Sequence, residues 1–201
     1  MSRFFAIAAL MSLAGAMPAS AGINTLAYLQ EVDNTSANAE VPGFSSMYDT
    51  WDLMIVVDAG DDWHSTYAFA ETTGFYFYDY PNFVGDVPVP GLWSVFPASE
   101  YDSYYMNPEG LIAPLFFAQG PITFENHKEA EWYDDPPNGG AGVYAIARYT
   151  IPEGEYLYVD GWHTSVNSGG DIIPFHVDNS VPAPGSLLLL SMGSLAIRRR
   201  R

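Results

Sequence analysis

The chain has 201 residues, no cysteine, and 24 acidic against seven basic residues. The lack of cysteine excludes disulfides, thiolate nucleophiles and cysteine-ligated metals. Five of the basic residues sit at the ends, so 22–180 holds Lys128 and Arg148 against all 24 acids, a net −22 that repels phosphate and excludes nucleic acid as a partner.

Residues 1–21 read as a secretory signal peptide. Arg3 gives the positive start, 4–13 the apolar run, Gly15 and Pro18 the helix breakers, and Ala19-Ser20-Ala21 the small-x-small box, with cleavage after Ala21. The expected partners of this segment are the export machinery and signal peptidase. The stretch 22–180 is long enough to stabilise one domain by its core alone.

Within it, short runs of β-branched and aromatic residues alternate with Gly, Pro, Asn and Asp clusters. The pattern predicts about ten strands, over 51–57, 65–71, 75–80, 92–96, 101–106, 113–117, 122–125, 143–150, 156–162 and 171–177. Trp51, Leu53, Ile55 and Val57 fall on one face of the first. The gap Thr72-Thr73-Gly74 is short enough for a hairpin. Proline- and glycine-rich stretches at 88–91, 136–140 and 152–155 read as loops. The expected fold is all-β, an antiparallel, jelly-roll-like β-sandwich ectodomain.

At the C-terminus, Val181-Pro182-Ala183-Pro184-Gly185 precedes an apolar segment, 186–197, which stops at Arg198, Arg199, Arg200 and Arg201. The apolar segment reads as a short transmembrane helix. The arginines would stay on the cytoplasmic side and leave the domain outside.

Motif, short helix and arginine cluster together resemble the PEP-CTERM sorting signal. Val181, Pro182 and Pro184 match its Val-Pro-Glu-Pro-like motif, and Ala183 stands where the commonest residue is Glu. The resemblance implies recognition by an exosortase-like processing enzyme and tethering to the inner membrane. Release to the cell surface or matrix would follow, with extracellular polysaccharide as a partner. It covers about 21 residues and concerns routing, not activity.

Four features of the middle segment are weighed as sites of chemistry. The acidic turn Asp58-Ala59-Gly60-Asp61-Asp62 offers oxygen ligands around a glycine, so Asp58, Asp61 and Asp62 are candidate Ca²⁺ ligands; the alternative is a solvated turn. A second acidic stretch, Glu125 to Asp135, reads first as a solvated face. Tyr76, Tyr78 and Tyr80 alternate along a predicted strand and would form a stacking face for sugar rings, with Phe75 and Phe77 pointing into the core. The four histidines, His64, His127, His163 and His176, lack the spacing of a helical metal site.

No nucleophile elbow, P-loop or His-Glu-x-x-His occurs. The reading is a non-catalytic exported envelope or matrix protein. The alternatives are a carbohydrate-binding or adhesive module on the same anchor, favoured by exposed coplanar aromatics, and an extracellular hydrolase, favoured by paired carboxylates in a deep cleft.

Overall fold

A computed structural model describes residues 27–81, 86–108, 110, 115–138, 140–166 and 172–180. The expected signal peptide with Ala19 and Ala21, the motif at Val181, Pro182, Ala183 and Pro184, and the four terminal arginines lie outside them. Among the described residues no helix is long and apolar enough to cross a membrane.

Nine strands appear among the described residues: β1 (Ala27–Val32), β2 (Tyr48–Val57), β3 (Trp63–Thr72), β4 (Tyr104–Tyr105), β5 (Phe116–Phe124), β6 (His127–Asn138), β7 (Gly142–Pro152), β8 (Leu157–Ser165) and β9 (Ile173–Asp178). They form two antiparallel sheets, of order β1-β2-β7-β4 and β5-β6-β3-β8-β9. One core lies between them. Leu29, Leu53, Ile55, Tyr149 and Ile151 come from the first sheet, and Ala68, Ala70, Trp132, Leu157 and Val159 from the second. In β2 the predicted alternation holds, with Leu53, Ile55 and Val57 buried and Trp51 packed partly against the same core.

The two sheets are covered differently. The 3₁₀ turns Thr35–Ala39, Phe44–Ser46 and Pro97–Tyr101 pack over the far side of the four-stranded sheet, where Ala37, Phe44, Ala98 and Tyr101 form a second small core. There Arg148 of β7 grips Asp52 of β2 through two bonds, Nε–Oδ1 at 2.7 Å and Nη2–Oδ2 at 2.9 Å, and donates a third to the Glu100 carbonyl at 3.0 Å. Its guanidinium lies 5.8 and 5.7 Å from the Tyr101 and Tyr104 ring centres. No described element packs in this way across the outer face of the five-stranded sheet.

Several expected strands take other forms. The stretch 75–80 is extended but belongs to neither ladder, because consecutive amides turn to opposite sheets: Phe77 N–H to the Glu125 carbonyl at 3.2 Å, Tyr78 N–H to the Thr150 carbonyl at 2.8 Å. The hairpin expected at 72–74 is therefore absent, and β3 pairs with β6 and β8 instead. Over 92–96 the chain turns rather than extends, because Pro90 and Pro97 each open a 3₁₀ turn with their fixed φ. Of 101–106, only Tyr104–Tyr105 is strand. The runs at 113–117 and 122–125 contribute to one edge strand, β5, which accommodates Gly120 and Pro121 through two register shifts.

Gly161 of β8 is required by close approach. A Cβ there would meet the Tyr67 carbonyl oxygen at 2.2 Å and the Phe175 ring at 2.7 Å. Gly161→Ala is expected to destabilise the domain by about 1–3 kcal/mol, read as a lower urea midpoint with an unchanged slope. An unaltered midpoint would show that the strands separate without cost.

Candidate aromatic and acidic face

In the five-stranded sheet the usual division of side chains is inverted at the central strands. The inward positions are small (Ala68, Ala70, Ala130, Gly161), which leaves volume for core rings such as Trp132, Tyr149 and Phe175. The outward positions of the same strands carry rings. Because opposite residues in paired strands share a face, the register sorts the outward side chains into rows. One row runs Gln119, Glu131, Tyr67, Trp162, Pro174; the next Ile122, Glu129, Phe69, Asp160, His176; a third Phe124, His127, Glu71, Tyr158, Asp178.

The rings on this face are ordered against one another. Tyr67 and Trp162 are stacked, with centroids 6.0 Å apart and planes 19° from parallel. Phe69 meets the His127 ring edge-on at 4.4 Å and lies 6.3 Å from Tyr158, whose ring is tilted 34° to that of His176. At the β5 edge Phe116 stacks on Tyr133 at 5.6 Å. All these rings except Phe116 are outward residues of β3, β6, β8 and β9, and Tyr67, Phe69, Tyr158 and Trp162 stay partly exposed.

Carboxylates are set between the rings and fix them. Tyr67 donates its hydroxyl to Glu129 at 2.8 Å, and Tyr158 to Glu71 at 2.5 Å. Burial first, and Glu129 second, push the Tyr67 hydroxyl up to about 12; for Tyr158 the bond to Glu71 comes first and also takes it to about 12. Both therefore remain neutral donors at any physiological pH. The Tyr67 hydroxyl in turn is the main cause holding the Glu129 carboxyl below its ordinary value. Gln119 also donates to Glu129, at 3.1 Å, and His176 approaches Asp160 at 2.6 Å.

The tyrosines singled out from sequence do not form the expected face. Phe75 is 88% exposed and Phe77 3%, so the two do not share a side. Tyr78 packs against Phe44 and Tyr48 beside the second core. Tyr80 donates its hydroxyl to Glu40, and Tyr76 lies at the surface, 3.2 Å from the Tyr48 hydroxyl. The reversal follows from the missing ladder: without pairing, nothing imposes a two-residue alternation.

Asp58, Asp61 and Asp62 occupy the β2–β3 turn, which Gly60 makes possible at φ 83°. Their carboxylates diverge. Asp61 accepts from the Ser165 hydroxyl and from the Asp62 amide, Asp62 accepts from the Gly140 amide at 2.9 Å, and Asp58 is exposed. Among the described residues no three His, Asp or Glu side chains gather closely enough to hold a metal ion. His64 is exposed and His163 buried, while His127 and His176 lie on the aromatic face.

Sequence periodicity alone does not reveal the face, because its rings read equally well as strand-formers. A usable signal was present in Tyr67-Ala68-Phe69-Ala70-Glu71, where aromatics alternate with alanines: the small set suits a crowded interior, so the large set points out.

Fold and face together define an all-β, two-sheet domain with one sheet covered and the other presenting ordered rings and carboxylates. Comparison with protein-family models, with curated proteins and with solved structures finds no match for this chain.

Proposed function

We propose that the protein is an exported, non-catalytic envelope or matrix component whose domain binds carbohydrate on the outer face of the five-stranded sheet. The observation that carries this reading is the stacked pair Tyr67–Trp162 within a field of carboxylates. Sugar rings present flat C–H faces that pack on aromatic rings, and their hydroxyls donate to adjacent carboxylates. The tyrosine–carboxylate bonds hold the rings before a ligand arrives, which lowers the entropy cost of binding.

The routing part of the proposal rests on the sequence: a signal peptide ending at Ala21 and a PEP-CTERM-like tail from Val181 to Arg201, processed by an exosortase-like enzyme. The jelly-roll-like reading rests on the way β2 and β3, β6 and β7, and β7 and β8 pass from one sheet to the other.

Affinity electrophoresis through gels containing soluble polysaccharides tests the carbohydrate reading. The protein is expected to be retarded by at least one neutral or amino glycan, and Trp162→Ala with Tyr67→Ala to lose about tenfold or more in affinity with little change in melting temperature. Retardation unaffected by the double substitution would place binding elsewhere.

A further inference from the structure

The row Glu131–Tyr67–Trp162 has a composition that selects among glycans. Glu131 lies opposite Tyr67 across the β3–β6 pair and accepts no hydrogen bond from a described residue, whereas Glu129 is occupied by Tyr67, Gln119 and His127 and Glu71 by Tyr158. The face thus offers a ring pair with a free carboxylate beside it. Around that pair acceptors dominate: Glu71, Glu129, Glu131, Asp160 and Asp178 share the face, and among the described residues no lysine or arginine does.

We infer that this row is a subsite for an amine-bearing sugar, a glucosamine-type unit of a deacetylated hexosamine polymer, with its ring on Tyr67 and Trp162 and its ammonium on Glu131. The inference rests on the carbohydrate reading above and narrows it. An ammonium brings three donors and no acceptor, which suits the one carboxylate of the row, Glu131, that no described residue already engages. It also gains from the aromatic quadrupoles, while a uronate or sulfated polymer meets like charge over the whole face. A second copy of this chain is disfavoured on the same ground, since each copy carries a net −22 over 22–180.

The test uses the purified full chain and three hexasaccharides: glucosamine, N-acetylglucosamine and a uronate. Titration calorimetry at low salt is expected to show the glucosamine oligomer binding about fivefold or more tighter than the acetylated one, with no heat from the uronate. Glu131→Gln should abolish that preference and leave acetylated binding in place, and Trp162→Ala should weaken both. Equal affinities, or a preference that survives Glu131→Gln, overturn the amine subsite while carbohydrate binding stands. No heat with any oligomer removes both readings. Polylysine competing as well against Trp162→Ala as against the unaltered protein would make the face a simple polyanion and also overturn the inference.

Discussion

Lys128→Met is expected to destabilise the domain by about 2–4 kcal/mol, somewhat below the range for removing one partner of a fully buried ion pair because Asp79 and Asp86 stay partly exposed and can be rehydrated. Lys128 is an inward residue of β6, 1% exposed, with Nζ 2.7 Å from Asp79, 3.0 Å from Asp86 and 3.1 Å from the Ser103 carbonyl. Burial alone lowers its pKa, but the two carboxylates more than offset that and hold it above the ordinary lysine value. One side chain therefore ties the five-stranded sheet to three points on the irregular stretch that leads into β4. Methionine fills similar volume but leaves the Ser103 carbonyl without its partner. Urea unfolding followed by tryptophan fluorescence measures the loss. A change under about 1 kcal/mol would mean that the stretch is held by its other contacts.

A pH-dependent loss of similar size is expected from Asp102. It is 8% exposed, and burial raises its carboxyl from the ordinary 3.8 to about 7, against the lowering effect of the Tyr80 and Ser103 amides that it accepts. The native state thus keeps a proton that the unfolded chain releases above about pH 4. Stability from this group is full at or below about pH 4 and declines as pH rises, by on the order of 4 kcal/mol once pH passes 7. Other acids titrate too, so the informative quantity is a difference. Melting temperatures of the unaltered protein and Asp102→Asn, measured from pH 5 to 8, should diverge, with the Asn variant gaining relative stability at the upper end. Parallel curves would show that Asp102 is ionised throughout.

What was legible in the sequence followed strand periodicity. β2, β3, β7, β8 and β9 fall where β-branched and aromatic runs alternate between glycine and proline, and the two-sheet arrangement follows from them. β6 was hidden because its inward positions include Lys128 and Asp134, both buried, so that its alternation reads as a charged surface run. Nothing local signals that a lysine's counter-charges arrive from 42 and 49 residues upstream. β1 was hidden for a related reason: in Ala27–Val32 the inward residues are Ala27 and Leu29, too few to set a period. For the site, the sequence supplied the chemistry but not the place. Aromatic stacking was expected at Tyr76, Tyr78 and Tyr80, whose segment bridges two sheets, whereas the central ordered rings, Tyr67, Phe69, Tyr158 and Trp162, belong to β3 and β8, which have ladders on both sides.

The same two cations that organise the fold are the only lysine and arginine between residues 22 and 180. Lys128 is enclosed beneath Asp79 and Asp86, and Arg148 beneath Glu100, Tyr101 and Tyr104. A protease that cuts after basic residues therefore finds no accessible bond in the folded domain, and amine-directed cross-linkers find no side chain to couple. Resistance of the folded domain to trypsin-like cleavage thus comes from placing both target residues inside.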